Sequence, residues 1–212
     1  MTRAILYDVD GLMVDSETLG MRVAKEVLGK YGREPSQEEL ERFIGVTDEK
    51  FYRDFFRSRA IAEKALQDHF EIYERELPDV PVFPGVAESV RRFKPRYKLG
   101  VVSGSTLHQV NIILQRAGVE GCFDAKVTCE MYDTENSKPH PEPYLIAAWA
   151  LDLRPEQCVA LEDATPGILS AKKAGMKVVG VKIGNKGRQD LSKADVAVET
   201  LDEVTLELVR SL

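Results

Sequence analysis

Short apolar runs recur along the chain at residues 4–9, 99–103, 125–128, 159–162, 178–182 and 196–198, with longer mixed stretches between them. Runs of this length separated by helix-length intervals predict a parallel sheet wound with crossover helices. Helical period is plain in residues 107–117, where Val110, Ile113, Leu114 and Ala117 share one face and Gly118 follows as a stop. Residues 166–174 set Ile168, Leu169, Ala171 and Lys172 at less regular positions before Gly175, and predict a second crossover helix.

Residues 15 to about 79 break the rhythm. They carry Val23, Ala24, Val27 and Leu28, then Phe51, Phe55 and Phe56, without a convincing strand, and predict a helical insertion. Turn chemistry marks its edges: Gly11 on one side, and Pro78, Pro81, Pro84 and Gly85 on the other. The expected division is a core of residues 1–14 and 82–212 and a helical cap of residues 15–81. Two chain crossings at its edges would allow such a cap to move as a lid.

The chain has 212 residues, room for one large domain or a core with a modest insertion. Hydrophobic residues make up 43% and charged residues 30%, which excludes disordered and low-complexity classes. With 29 basic residues against 35 acidic ones the net charge is −6, so nucleic acid and anionic membranes are not expected partners. Cys122, Cys129 and Cys158 are odd in number and form no Cys-x-x-Cys pair, against a disulfide framework or a structural zinc site. The first apolar run meets Asp8 too early for a signal peptide or membrane span. The expected setting is a reducing cytoplasm.

Candidate chemistry sits where the predicted strands end. Asp8-Val9-Asp10-Gly11 closes the first run with two carboxylates on the same side of an extended chain. Ligands of open parallel sheets bind at that carboxyl edge. An isolated Asp-x-Asp-Gly is equally at home as a strand terminator and turn. Val101-Val102-Ser103-Gly104-Ser105 ends another strand with hydroxyls and a glycine before a helix start that suits an anion, although Ser105 and Thr106 also read as caps. Ser137-Lys138-Pro139-His140-Pro141 holds a cation in a stiffened loop. Glu162-Asp163 offers hard oxygen ligands of the kind Mg²⁺ takes.

In this order the set resembles the four motifs of the haloacid dehalogenase superfamily of phosphohydrolases, and within it the β-phosphoglucomutase-like branch. The resemblance covers Asp8 through Glu17, Phe83-Pro84-Gly85-Val86, Ser103, Lys138-Pro139-His140-Pro141-Glu142-Pro143 and Glu162-Asp163-Ala164-Thr165-Pro166-Gly167. It implies a Rossmann-like core with an inserted all-helical cap, and phosphoryl transfer through an aspartyl-phosphate. It implies Asp8 as nucleophile, Asp10 as general acid and base, and Ser103, Gly104 and Lys138 around the phosphoryl group. It also implies Mg²⁺ held by Asp8, the Asp10 carbonyl oxygen and Asp163, with Glu162 a direct or more distant partner. Elementary electrostatics asks for the same inventory. Each carboxylate–phosphate charge pair at about 4 Å costs roughly 4 kcal/mol at an effective dielectric near 20, so a dianion costs about 8. A divalent cation and a lysine offset a repulsion of that size.

The activity implied is Mg²⁺-dependent hydrolysis of a small phosphomonoester, such as a sugar phosphate, by a monomer or weak dimer. A sugar phosphomutase is the nearest alternative. That branch carries a histidine ten residues after the acid/base aspartate and an arginine in a Gly-Val-Ser-Arg stretch; here Gly20 and Asp48 stand instead. A haloalkanoate dehalogenase would not need Asp10 and the acid pair for a metal. A receiver-like switch would not need a cap, and a silent binding module would not need an intact motif set. Glu17, Thr18 and Asp48 are the expected substrate-facing residues of the cap. His69 and His108 are expected to be surface or satisfied side chains, His140 to lie near the substrate mouth, and Trp149 to pack in the core.

Overall fold

A computed structural model describes residues 1–41, 48–184 and 189–212. In chain order the elements are β1 (Ala4–Tyr7), α1 (Ser16–Lys30), α2 (Gln37–Glu41), α3 (Asp48–Phe55), α4 (Arg59–Glu76), α5 (Val86–Phe93), β2 (Lys98–Val102), α6 (Leu107–Arg116), β3 (Ala125–Val127), α7 (Glu142–Ala150), β4 (Cys158–Glu162), α8 (Thr165–Lys173), β5 (Lys177–Val181), β6 (Val196–Val198) and α9 (Leu206–Ser211). The six strands form one parallel sheet in the order β3-β2-β1-β4-β5-β6. This is the Rossmann-like, doubly wound α/β arrangement, whose strand order reverses beside β1.

The chain separates into two compact units, Met1–Asp15 with Pro81–Leu212, and Ser16–Val80. In the first, all four residues of β1 are buried, as are the β4 residues. Such continuous apolar strands are expected where helices cover both faces. The sheet is held in register by Tyr7 opposite Val101 on one side and Leu161 on the other. That pairing brings the next residue of each strand, Asp8, Val102 and Glu162, to one level at the carboxyl edge.

Local chemistry explains the helix ends. Thr106 caps α6 by accepting from the Gln109 N–H while the Gln109 side chain accepts from the Thr106 N–H, the reciprocal arrangement that satisfies two otherwise orphaned donors. The face Val110, Ile113 and Leu114 is buried. In α8 the buried residues are Gly167, Ile168, Ser170 and Ala171, so small residues rather than a wide apolar stripe bring this helix onto the sheet.

Trp149 corrects an expectation: it is 81% exposed. Helix α7 buries Tyr144, Ala147 and Ala148, with Leu151 following. Residue 149 falls about a hundred degrees from 148, on the outward face with Leu145. Being apolar did not place it inside, because the stripe of neighbours chose the other face.

The second unit is helical throughout its described elements. Leu19, Val23 and Val27 of α1, Phe51 and Tyr52 of α3, and Ala62, Ala65 and Ile72 of α4 are buried within it. His69 of α4 is buried too, with Nδ1 2.9 Å from the Tyr52 hydroxyl and its ring stacked on Tyr73. Burial pushes the His69 imidazole down to about 4, so near neutrality it is uncharged and shares a hydrogen bond with the Tyr52 phenol. Residues 42–47, which include Gly45, Val46 and Thr47 of the stretch compared above with Gly-Val-Ser-Arg, lie outside the described residues. Among the described residues no helix is long and apolar enough to cross a membrane.

Candidate active site

The carboxyl edge is assembled from the ends of β1, β2 and β4 and from the loop before α7. Strand pairing runs one residue past β1, since the Asp8 N–H donates to the Leu161 carbonyl at 3.0 Å. The chain then turns: Met13 N–H donates to the Val9 carbonyl and Gly11 N–H to the Val14 carbonyl. Gly11 has φ +84°, and a Cβ there would stand 2.2 Å from Asp163 Oδ2. Both the backbone conformation and the closeness of the carboxylate demand glycine. Gly167 serves the opposite wall, because a Cβ on the first turn of α8 would come within 2.1 Å of the Glu162 carboxylate oxygens.

Lys138 ties these pieces together. Its Nζ lies 2.6 Å from Asp8 Oδ1, 2.6 Å from Glu162 Oε1 and 3.0 Å from the Val102 carbonyl oxygen. An ammonium has three protons, and all three are engaged here. The Nζ also lies 5.2 Å from the centroid of the Tyr144 ring. The Tyr144 hydroxyl donates to the same Glu162 Oε1 at 2.6 Å, and burial, reinforced by Glu162, pushes that phenol up so that it stays a donor.

Asp8, Glu162 and Asp163 are buried, and one ligand oxygen from each lies within 4.8 Å of the others. Burial pushes the Asp8 carboxyl well upward; the Lys138 ammonium opposes this, while Glu162 and Asp10 add to it. Burial lowers Lys138, but the pull of Asp8 and Glu162 outweighs it and leaves the ammonium raised. Lys138 is thus held between two of these buried carboxyl groups, Asp8 and Glu162. Asp8 Oδ2 is buried without a hydrogen-bond partner among the described residues. A buried carboxylate oxygen without a donor is costly, and three convergent hard oxygens suit a divalent cation such as Mg²⁺. The residues present fit such a group.

Asp10 is arranged differently. Its Oδ2 accepts from both Ser103 Oγ and Ser105 Oγ at 2.9 Å, and Ser103 Oγ in turn accepts the Ser105 N–H at 2.9 Å. The hydroxyls expected beside a phosphoryl group therefore tether Asp10 in this structure. Gly104 is exposed in the same turn. His140 is exposed, with Nδ1 accepting the Glu142 N–H at 3.3 Å. Glu17 and Thr18 occupy the first turn of α1 and Asp48 opens α3, all in the helical unit.

Sequence reasoning missed Tyr144 and read Ser105 as a strand-end hydroxyl or a cap, not as a partner of Asp10. A signal for Tyr144 was present: a polar-tipped aromatic on a buried helix stripe must find a partner for its hydroxyl.

A strand order that reverses beside β1, with a buried carboxylate–lysine centre at that point of the carboxyl edge, defines a Rossmann-like α/β protein of the hydrolase type. The chain belongs to the haloacid dehalogenase-like hydrolase family, whose sequence profile matches residues 5–181. It is similar to hexitol phosphatase B of Escherichia coli K12, with 32% identity over 215 residues covering 95% of this chain and 94% of that protein. It is also 32% identical, over 84% of its length, to the Arabidopsis thaliana chloroplastic protein Suppressor of Quenching 1, of which the match spans 18%. Among solved structures, the putative β-phosphoglucomutase of Thermotoga maritima superposes with a TM-score of 0.81 at 25% identity, each chain covered in full.

Proposed function

We propose that this protein is a Mg²⁺-dependent phosphatase that hydrolyses a small phosphomonoester, such as a sugar phosphate, through an aspartyl-phosphate on Asp8. The observation that carries the reading is the shared use of Lys138 by Asp8 and Glu162, at 2.6 Å each, within the acidic cluster at the strand ends. Lys138 fixes Asp8 Oδ1 and leaves Oδ2, which has no donor among the described residues, as the oxygen that attacks phosphorus. The bond from phosphorus to the ester oxygen breaks as the new bond forms, and Asp10 protonates the leaving oxygen. Asp10 then takes a proton from water, whose oxygen attacks the phosphorus, releasing phosphate and the Asp8 carboxylate.

Asp8, Asp163, the Asp10 carbonyl oxygen and Glu162 would hold the Mg²⁺, which when bound supplies positive charge against the phosphate dianion. Ser103 and Ser105 hold Asp10 in place between its two proton transfers, and Ser103, Gly104 and Lys138 border the phosphoryl group. Residues 15–81 act as the specificity cap, with Glu17, Thr18 and Asp48 as the side chains that select the leaving group. The protein works in a reducing cytoplasm on small phosphorylated metabolites, as a monomer or weak dimer, without nucleic acid or membrane.

The test is a panel of sugar phosphates, phosphoglycolate and nucleotides assayed with Mg²⁺ and with a chelator. Release of inorganic phosphate over many turnovers, lost with the chelator, is expected for at least one small monoester. Stoichiometric phosphorylation of the protein without turnover would instead mean a switch, and isomerised sugar phosphate without free phosphate would mean a mutase.

A further inference from the structure

The opposite edge of the sheet, where the strands begin, carries a feature that hydrolysis at Asp8 does not use. Two adjoining hollows of about 520 and 720 Å³ open there and share Met1, Thr2, Arg96 and Glu156 as lining. Arg3, Lys98 and Arg154 complete the first with Gln157, and Lys177 and Arg210 line the second with Tyr97. Glu156 is the one acidic side chain in either lining.

This concentration is unusual within the chain itself, whose net charge is −6. Some cations elsewhere stand beside carboxylates, such as Lys50 by Asp54, Arg53 by Glu49, Arg59 by Glu63, Lys94 by Asp124 and Lys182 by Glu199, and others, such as Arg33 and Lys126, rest on neutral oxygens; what sets this edge apart is the gathering of four arginines around two adjoining hollows. At this edge Lys98 donates to the Leu151 carbonyl and Lys177 pairs with Asp195. Among the described residues, Arg3, Arg96, Arg154 and Arg210 pair with no carboxylate. Four exposed guanidinium groups held around two connected hollows repel one another unless an anion lies between them.

From this arrangement we infer that the amino edge of the sheet binds a short phosphate chain. Arginine forks match phosphate oxygens in pairs of parallel hydrogen bonds. The guanidinium groups are distributed along both hollows, with Arg96 common to the two, so a single phosphate would meet only part of the set and a chain with charges in series would meet all of it. Each hollow by itself is of the size that small-molecule sites use. Arg3 precedes Asp8 by five residues of near-extended chain, roughly 16 Å, so this site is distinct from the centre at the carboxyl edge. A phosphate chain can come from inorganic polyphosphate or from a nucleoside triphosphate.

The experiment is isothermal titration calorimetry of the full chain, freed of metal with a chelator, against tripolyphosphate and, separately, ATP. One saturable site per chain is expected. The exposed double variant Arg96→Ala/Arg154→Ala should bind at least tenfold more weakly while keeping its thermal midpoint and its phosphatase activity, and Asp8→Asn should bind within twofold of the parent. Equal affinity for the two ligands would identify the phosphate chain alone as the recognised group, and ATP at least tenfold tighter would identify a nucleoside triphosphate. No saturable binding, undiminished binding by the double arginine variant, or binding lost in Asp8→Asn would each overturn the inference.

Discussion

The Lys138 centre and the Tyr52–His69 pair are both buried and polar, yet they meet the cost of burial in opposite ways. In the helical unit His69 gives up its extra proton: burial pushes it down to about 4, and a neutral ring shares a hydrogen bond with the Tyr52 hydroxyl at 2.9 Å. In the sheet unit Lys138 keeps its charge, because Asp8 and Glu162 surround it at 2.6 Å. A neutral pair satisfies its own hydrogen bonds and asks for nothing further. Around Lys138 the charges are retained, and Asp8 Oδ2 is left buried without a hydrogen-bond partner among the described residues, available for chemistry. Burial of polar groups alone therefore does not mark an active site; burial with retained charge and an unsatisfied carboxylate oxygen does.

The sharpest way to break this contrast is Asp8→Asn, which keeps the shape of the side chain and removes the proposed nucleophile. Turnover should fall by roughly four orders of magnitude or more, while the circular dichroism spectrum stays that of the parent. Near-normal phosphate release would refute the role of Asp8. Lys138→Met comes next. Removing the one cation from buried carboxylates costs about 3–5 kcal/mol, read as a lower urea midpoint at pH 7, and turnover should be lost as well. A stability unchanged at pH 7 would show that the carboxyl groups do not depend on the lysine.

The neutral pair makes a pH prediction whose sign follows from the direction of its shift. His69 sits at about 4 when folded against an ordinary value of 6.5. Its stabilising contribution is therefore complete above pH 6.5 and is lost as pH falls toward 4, by up to about 3 kcal/mol. Asp48 opposes it: burial pushes this carboxyl up to about 6, so the folded chain takes up its proton first and gains stability as pH falls through about 6 to 4. Asp48→Asn should unmask the histidine, giving a variant whose urea midpoint drops more steeply than the parent's between pH 6.5 and 4. A variant with the same slope as the parent would mean that Asp48 titrates as it does in the unfolded chain.

Tyr144→Phe is the mildest change. It deletes one hydrogen bond to the Glu162 carboxylate and keeps the ring beneath Lys138, at a cost of about 1.5–3 kcal/mol for a bond to a charged group. The expected result is a lower kcat with an unchanged KM, since Glu162 and Lys138 are positioned by the phenol. A change confined to the urea midpoint would make Tyr144 purely structural.

The strands were legible because their side chains are mostly apolar, with Lys98, Lys126, Glu162 and Lys177 as the charged members, and each predicted run overlaps an observed one, shifted by a residue or two at its ends. Residues 107–117 were legible because the buried face repeats at helical period. Trp149 was not, since an apolar side chain next to a buried stripe is assigned by the direction of the stripe and not by its own chemistry. At the site, Asp8, Asp10, Ser103, Glu162 and Asp163 could be singled out by their position after apolar runs, and Lys138 by its place in a loop stiffened by two prolines. What each side chain touches could not. Ser103 turned out to hold Asp10, and all three protons of Lys138 are spent on the protein itself.

By itself the sequence determined which segments would be strands, where the chain would turn, and which carboxylates would stand at strand ends, because these follow from side-chain alternation and turn chemistry among near neighbours. Only the tertiary structure decided that residues 8, 138 and 162 share one ammonium, and that arginines 3, 96, 154 and 210 gather at the other edge. Both depend on the order β3-β2-β1-β4-β5-β6 and on the register of β1 with β2 and β4. Those are pairings between residues far apart in the chain, whose energy exists only once the sheet has formed.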